Sequence, residues 1–301
     1  MLLTKPKIEM HEPKRSPPRR PTEPSAADAV AAIRKHWDGM PQDAIVLGTG
    51  LGAVAELIDA EAVVPYSQIP GFPRSTALAH KGQLVCGRLA GRVVVALQGR
   101  CHLYEGHGFE RLAFATRVMA ALGARRLIVS NAAGGMNPKF AAGDVMLIDD
   151  HINLMFQQLP QPVRDGQSGR REYYCRQLQD EVLALARHLN IPLQRGVYVG
   201  VSGPNYETRA EYRMFRRIGG DAVGMSTIPE VLAAAQCGMQ VLGFSAITNI
   251  ARPDAPHKVD AQEVVDVAGC AAPKMQKLLL ALLAQPRIVQ DGAIKRPGST
   301  H

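Results

Sequence analysis

The sequence predicts a single α/β domain, a largely parallel central sheet covered by helices on both faces. Two observations lead there. Between about residues 25 and 285, short apolar runs alternate with segments of helical hydrophobic period, the pattern of buried strands joined by crossover helices. Five of the strand-like runs also have glycine, serine, threonine or asparagine close behind them, at the carboxyl ends where such sheets bind ligands. A chain of 301 residues can bury one large core, and no internal repeat or second shift in composition divides it.

The elements follow in order. Residues 44–48 form a short apolar run ending in glycine, the first strand. Residues 83–88 and 92–97 flank Leu89-Ala90-Gly91 and read as a hairpin. Leu112, Ala115, Val118, Met119 and Leu122 fall at helical spacing, and Gly123 is the stop. Strands are expected at 126–130 and 144–148, a helix at 174–189, a strand at 197–201, a helix at 209–218 and a short strand at 222–224. Pro229 opens a helix that Gly238 ends, proline near the start and glycine after the finish. A strand at 241–247 and a long helix at 263–283 complete the domain.

Composition bounds the function. Hydrophobic residues make up 46% of the chain and charged residues 21%, as in an ordinary globular protein. No uninterrupted apolar run approaches the roughly 20 residues of a membrane helix, and the N-terminus lacks a secretory signal. Five cysteines (86, 101, 175, 237 and 270) are scattered without Cys-x-x-Cys spacing. That argues for a reduced, cytoplasmic setting, with neither a disulfide framework nor a zinc site. The net charge is +8, but residues 1–24 carry +3 and residues 286–301 carry +2. Both ends read as disordered tails around a domain at 25–285, because they offer little apolar surface. A basic tail can touch nucleic acid weakly, yet the body shows no feature of specific nucleic-acid recognition.

The densest chemistry follows the run at 93–97, in Gln98-Gly99-Arg100-Cys101-His102-Leu103-Tyr104-Glu105-Gly106. If the strand persists, Arg100, His102 and Tyr104 share one face, since side chains alternate with period two. A guanidinium fork and an imidazole together suit a phosphate-like oxyanion. Gly48-Thr49-Gly50-Leu51-Gly52-Ala53 raises a rival, the dinucleotide fingerprint. That motif also needs an acidic residue about 20 positions on, and residues 66–72 contain none. Asp150-His151 invites a catalytic dyad, although a structural role is the simpler reading, and no Ser-His-Asp triad or metal-ligand spacing occurs elsewhere.

Eight ordered segments carry a family resemblance over about residues 44–285. They are Gly48-Thr49-Gly50-Leu51-Gly52, Phe72-Pro73-Arg74-Ser75-Thr76 with His80, the Gln98–Gly106 segment, Asn131-Ala132-Ala133-Gly134-Gly135-Met136-Asn137-Pro138, Asp150-His151-Ile152-Asn153, Gly203-Pro204-Asn205-Tyr206-Glu207-Thr208, Gly224-Met225-Ser226-Thr227-Ile228-Pro229-Glu230 and Ile247-Thr248-Asn249. The chain resembles the trimeric purine nucleoside phosphorylases that act on inosine and guanosine. The resemblance implies one domain around a mixed sheet, a homotrimer, and phosphorolysis of 6-oxopurine (deoxy)ribonucleosides in purine salvage. It implies a phosphate held by Thr49, Arg100, His102, Ser226 and the backbone of Ala132, with His80 over the site. It places the purine on Glu207 and Asn249 with Tyr206 stacked against it, and the ribose between Tyr104 and Met225. Asn249, Glu207 and His102 would carry catalysis, phosphate being a co-substrate and no metal or organic cofactor being needed.

Residue chemistry agrees. A carboxylate at Glu207 accepts from a purine N1–H and 2-amino group, and the Asn249 amide both donates and accepts. The plainer readings make Glu207 a residue at a helix start, Asn249 a turn former and His80 a loop residue. Two departures stand out. The context that usually supplies a histidine to the ribose 5′-hydroxyl here reads Ala261-Gln262-Glu263-Val264, with His257 four residues earlier as a substitute. The loop at 156–173 is shorter than the aromatic-bearing loop by which relatives reach a neighbouring subunit. A phosphorylase for a 5′-modified nucleoside, or a nucleoside-binding protein without turnover, are the alternatives.

Overall fold

The computed structural model of the protein describes residues 24–49, 52–73, 80–159, 172–251 and 261–285. The two expected tails lie outside these residues apart from Pro24, as do His257 and most of the loop at 156–173.

The sheet has nine strands: β1 (Asp43–Leu47), β2 (Asp59–Pro65), β3 (Gln83–Leu89), β4 (Arg92–Gln98), β5 (Arg126–Gly135), β6 (Val145–Asn153), β7 (Gln194–Gly200), β8 (Ala222–Gly224) and β9 (Gln240–Ile250). Their order is β2-β3-β4-β1-β5-β8-β7-β6-β9, and β5 also pairs with β9, so the last five strands close into a ring. The sheet is mixed. β1 pairs in parallel with β4 and β5, and β5–β9, β6–β7 and β7–β8 are parallel as well. β2–β3, β3–β4, β5–β8 and β6–β9 are antiparallel.

Among the described residues six helices cover it: α1 (Ala26–Arg34), α2 (Phe109–Leu122), α3 (Arg176–His188), α4 (Arg209–Arg217), α5 (Ile228–Gln236) and α6 (Ala261–Ala284). β1 shows why the sequence forms this layering. All five of its residues are buried. Ala44 and Val46 face the core that α1, α2 and α5 complete, while Ile45 and Leu47 face the one completed by α3 and α6. A strand buried on both faces favours apolar residues along its length, which is why residues 44–47 read as a continuous run, and the buried Asp43 at its start is paired with Arg92 and Arg126.

α6 is long and apolar enough to cross a membrane by length and composition. Its Met275, Leu279 and Leu282 are instead buried against the sheet core.

The expected elements form, with three differences. α1 and β2 were not expected. α1 is short and starts on a capping box in which Ser25 accepts from the Asp28 N–H and Asp28 returns the bond. β2 is an edge strand with mostly exposed residues, so its sequence lacks a buried apolar run. Second, Asn131–Gly135 continues β5 rather than following it as a loop, because β9 and β8 supply partners along this stretch. Third, β4 stops at Gln98, whereas β6 runs past residue 148 to Asn153 because β7 pairs with it along that stretch.

Candidate active site

Beyond β4 the chain turns at Gly99 (φ +103), and His102 precedes a single 3-10 turn at Leu103–Glu105. The period-two argument for Arg100, His102 and Tyr104 therefore fails, since the strand has ended. The three side chains nonetheless line one cavity of about 140 Å³. Thr49 after β1, Ala132 on β5, Tyr206 and Glu207 before α4, Met225 and Ser226 between β8 and α5, and Asn249 on β9 line it too. Only His80 among the expected residues is absent from the lining. Its ring stacks on His102 at 5.5 Å, and Tyr104 stacks on the other side of His102 at 4.9 Å. His80 Nδ1 lies 2.7 Å from the Arg100 carbonyl oxygen, so it braces the loop from behind.

Arg100 is 4% exposed. Its NH1 donates to Ser226 Oγ and to Thr227 Oγ1, each at 2.9 Å, its NH2 to the Ser130 carbonyl, and its Nε faces Glu230 Oε1 at 3.4 Å. The expected open fork is thus engaged by protein acceptors. What reaches the cavity is a fixed cation beside a serine hydroxyl. Because Ser226 Oγ accepts from Arg100, its own O–H is left to donate to an anion, a charge-assisted arrangement. Ser226 and Thr227 also lead into the N-terminus of α5, where the helix dipole favours negative charge.

Thr227 has φ +74, a strained conformation for a β-branched residue. It is fully buried, and Arg100 and Asn131 both donate to its hydroxyl. Thr227 and Glu230 belong to the segment Gly224–Glu230, but side-chain chemistry alone suggests no role for them, and only the three-dimensional network does.

The Thr248–Asn249 pair owes its placement to a bulge. Ala133 is opposite Ile247, but Gly134 is opposite Asn249, leaving Thr248 as an extra residue on β9. Bulges re-aim side chains, and both Thr248 and Asn249 line the cavity. Thr248 Oγ1 lies 3.1 Å from Asn249 Oδ1 and 3.3 Å from the Ala133 carbonyl oxygen, so its one O–H is shared between two acceptors and ties the amide to the β5 backbone. On the same lining, Tyr212 of α4 hydrogen-bonds to the Glu207 carboxylate, a contact no sequence spacing suggested. Burial holds the Glu207 carboxyl above its usual range. Gly203 has to be glycine here: at φ +67, a Cβ would meet Met225 Sδ at 2.4 Å.

Burial, with help from the Arg100 charge, lowers the His102 pKa to about 4. The ring is therefore neutral near pH 7. Glu105 Oε1 accepts from the His102 backbone N–H at 2.7 Å and lies 3.1 Å from Nδ1. That assigns the proton to Nδ1 and leaves a lone pair on Nε2. Asp150 and His151 are absent from the lining. His151 packs against Tyr173 and Tyr174, and the dyad reading lapses.

These two histidines predict an acid-sensitive fold. Burial lowers His151 to about 4 as well. A depressed folded pKa leaves stability intact above the unfolded value near 6.5 and removes it as pH falls toward 4. Tm should fall by several degrees across that window, and less steeply in His151→Gln. Parallel wild-type and variant curves would show that His151 is not a buried neutral group.

Fold and cavity together define a nucleoside phosphorylase of α/β architecture. The sequence profile of the Phosphorylase superfamily matches residues 42–284. The chain is 44% identical over 262 residues to purine nucleoside phosphorylase 1 of Bacillus subtilis (strain 168), covering 85% of this chain and 97% of that one. A Schistosoma mansoni purine nucleoside phosphorylase isoform 2, solved with cytosine and ribose-1-phosphate, superposes with a TM-score of 0.80 at 36% identity, covering 88% of this chain and 97% of that one. Another Schistosoma mansoni purine nucleoside phosphorylase structure, in complex with adenosine, superposes with a TM-score of 0.77 at 35% identity, covering 87% and 97%. The chain belongs to the purine nucleoside phosphorylases, enzymes that transfer a pentosyl group from a purine to phosphate.

Proposed function

We propose that this enzyme phosphorolyses inosine, guanosine and their 2′-deoxy forms to free base and (deoxy)ribose 1-phosphate, in purine salvage. The observation that carries this reading is the joint lining of one cavity by an oxyanion cluster (Thr49, Arg100, His102, Ser226) and a purine-reading pair (Glu207, Asn249). Thr49, Ser226 and the Ala132 backbone bind phosphate beside the Arg100 charge. Monoprotonated phosphate donates its O–H to His102 Nε2. Tyr206 stacks on the base and Tyr104 and Met225 bound the ribose.

In the reaction the C1′–N9 bond breaks as a phosphate oxygen bonds to C1′, through a transition state with oxocarbenium character. The electron pair of the broken bond goes to the purine, and the net proton passes from phosphate to base. Asn249 Nδ2 and Glu207 meet the developing purine charge with preorganised hydrogen bonds. Phosphate is the co-substrate, and no metal or organic cofactor enters a step.

Adenine lacks the N1–H that Glu207 would accept, so rejection rests on the loss of that one donor to a carboxylate that Tyr212 continues to hold. The adenosine complex of a relative makes adenosine the informative competitor. Phosphate-dependent release of base from inosine, guanosine and adenosine tests the reading. Equal kcat/KM for adenosine and inosine would remove the 6-oxopurine assignment.

A 5′-modified nucleoside is the second reading. The first turn of α6 brings Val264, an apolar residue, to the cavity. If no polar group joins Val264 there, inosine and 5′-deoxyinosine should differ by about tenfold or less in kcat/KM, the worth of one neutral hydrogen bond. A preference well above a hundredfold would mean that a polar group reaches the 5′-hydroxyl.

A cytoplasmic homotrimer completes the proposal. Phe156, 89% exposed after β6, is apolar surface of the kind that an interface covers. Sedimentation of a monomer at working concentration would overturn the trimer.

A further inference from the structure

We propose that the turn carrying His102 also holds a zinc site made by Cys101, Glu105 and His107. Their donor atoms, a thiol sulfur, a carboxylate oxygen and an imidazole nitrogen, all lie within 4.8 Å of one another. Cys101 and His107 are half-buried, and the Glu105 side chain is 4% exposed. The cluster is a product of the fold. Cys101 precedes the 3-10 turn at Leu103–Glu105, and Gly106, at φ +83, reverses the chain so that His107 returns toward Cys101. The spacing Cys-x-x-x-Glu-x-His matches no familiar linear motif, which is why the sequence pointed away from a zinc site.

The donor set is that of a borderline-soft cation. Thiolate, imidazole and carboxylate together suit Zn²⁺, with bonds of about 2.0–2.3 Å and a fourth position for water. Such bonds put tetrahedral ligands roughly 3.3–3.8 Å apart, so the donors close by about 1 Å, within the reach of side-chain rotation. On binding, the Cys101 thiol releases its proton to solvent and the sulfur forms the metal bond. Glu105 is already oriented, because its Oε1 accepts from the His102 backbone N–H at 2.7 Å and faces His102 Nδ1. Hydrogen bonds of this kind fix the direction of a ligating carboxylate.

That shared carboxylate couples the site to catalysis, a consequence that rests on the phosphate role proposed for His102. Zinc draws charge from Glu105 and loosens its hold on Nδ1, so the phosphate-facing ring loses its tautomer. Zinc should raise KM for phosphate about tenfold, the worth of one hydrogen bond to a charged group, and a chelator should reverse it.

The site is tested independently of activity. Titration of the full chain with Co²⁺ should produce a thiolate-to-cobalt charge-transfer band in the near ultraviolet at one equivalent, bleached by Zn²⁺. The band should vanish in Cys101→Ser and in His107→Gln and persist in Cys270→Ser. Absence of the band, or a band that survives either substitution in the turn, overturns the site. A band with unchanged phosphate KM under zinc leaves the metal site standing and refutes its coupling to His102.

Discussion

Asn249→Ala is expected to lower kcat on inosine by about 10²–10³-fold, with a much smaller change in KM. The amide sits at the end of β9 beyond the Thr248 bulge, and its Oδ1 lies 3.1 Å from Thr248 Oγ1. That contact holds the amide beside the cavity before substrate arrives. Its hydrogen bond to the base strengthens only as the glycosidic electron pair moves into the ring. An interaction made in the transition state appears in kcat and not in KM. Loss of one such preorganised donor costs about 3–4 kcal/mol in comparable sites. Thr248→Val should reproduce a fraction of the loss, since it frees the amide to turn without removing it. Near-normal kcat in Asn249→Ala would sink the leaving-group role.

Arg100→Ala should be the most destabilising single change in the site, and should weaken phosphate binding as well. Arg100 and Glu230 are 4% and 5% exposed and face each other at 3.4 Å. Removing one partner of a buried ion pair leaves the other charge uncompensated, at a cost of about 3–5 kcal/mol. In the same step the Ser226 hydroxyl loses its Arg100 donor, and Thr227 keeps only the donor from Asn131. The two consequences separate in a double variant. Arg100→Met combined with Glu230→Gln removes both charges, so thermal stability should largely return, while KM for phosphate stays raised. If the double variant recovers phosphate affinity along with stability, the Arg100 charge is structural only. If Arg100→Ala itself keeps a wild-type phosphate KM, Arg100 does not serve the anion.

Much of this could be read along the chain because the signals were local. The hairpin at Ala90-Gly91 is one such case. Two positive φ values, +49 and +78, are what a two-residue turn between strands needs, and a glycine between alternating apolar runs announces it. The stop at Gly123 is another, with φ +126 at the C-cap of α2. The expected cavity residues were legible for a related reason. In a sheet of this kind the chain passes the carboxyl edge after each strand, so short donor-rich segments far apart in sequence converge without any contact having to be guessed.

What stayed hidden depended on partners distant in sequence. The length of β5 was set by β9 and β8, and glycine and asparagine at 131–135 read as loop until those ladders satisfied their backbone groups. The ring of β5 to β9 depends on which strands pair, which hydrophobic period leaves open. Arg100 was right in place and wrong in posture. Its cation was legible from the residue type, but the carboxylate of Glu230 in α5 and the hydroxyls of Ser226 and Thr227 just before that helix, which claim its fork, lie more than a hundred residues away. The sequence by itself therefore determined the fold class, the edge of the sheet that lines the cavity, and the residue types at that edge, because strand and helix periods and side-chain chemistry are local properties. Only the tertiary structure decided how each group is held: the neutral tautomer of His102, the strained Thr227, the aim of Asn249 and the clustering of Cys101, Glu105 and His107. Those depend on burial and on partners brought together by folding.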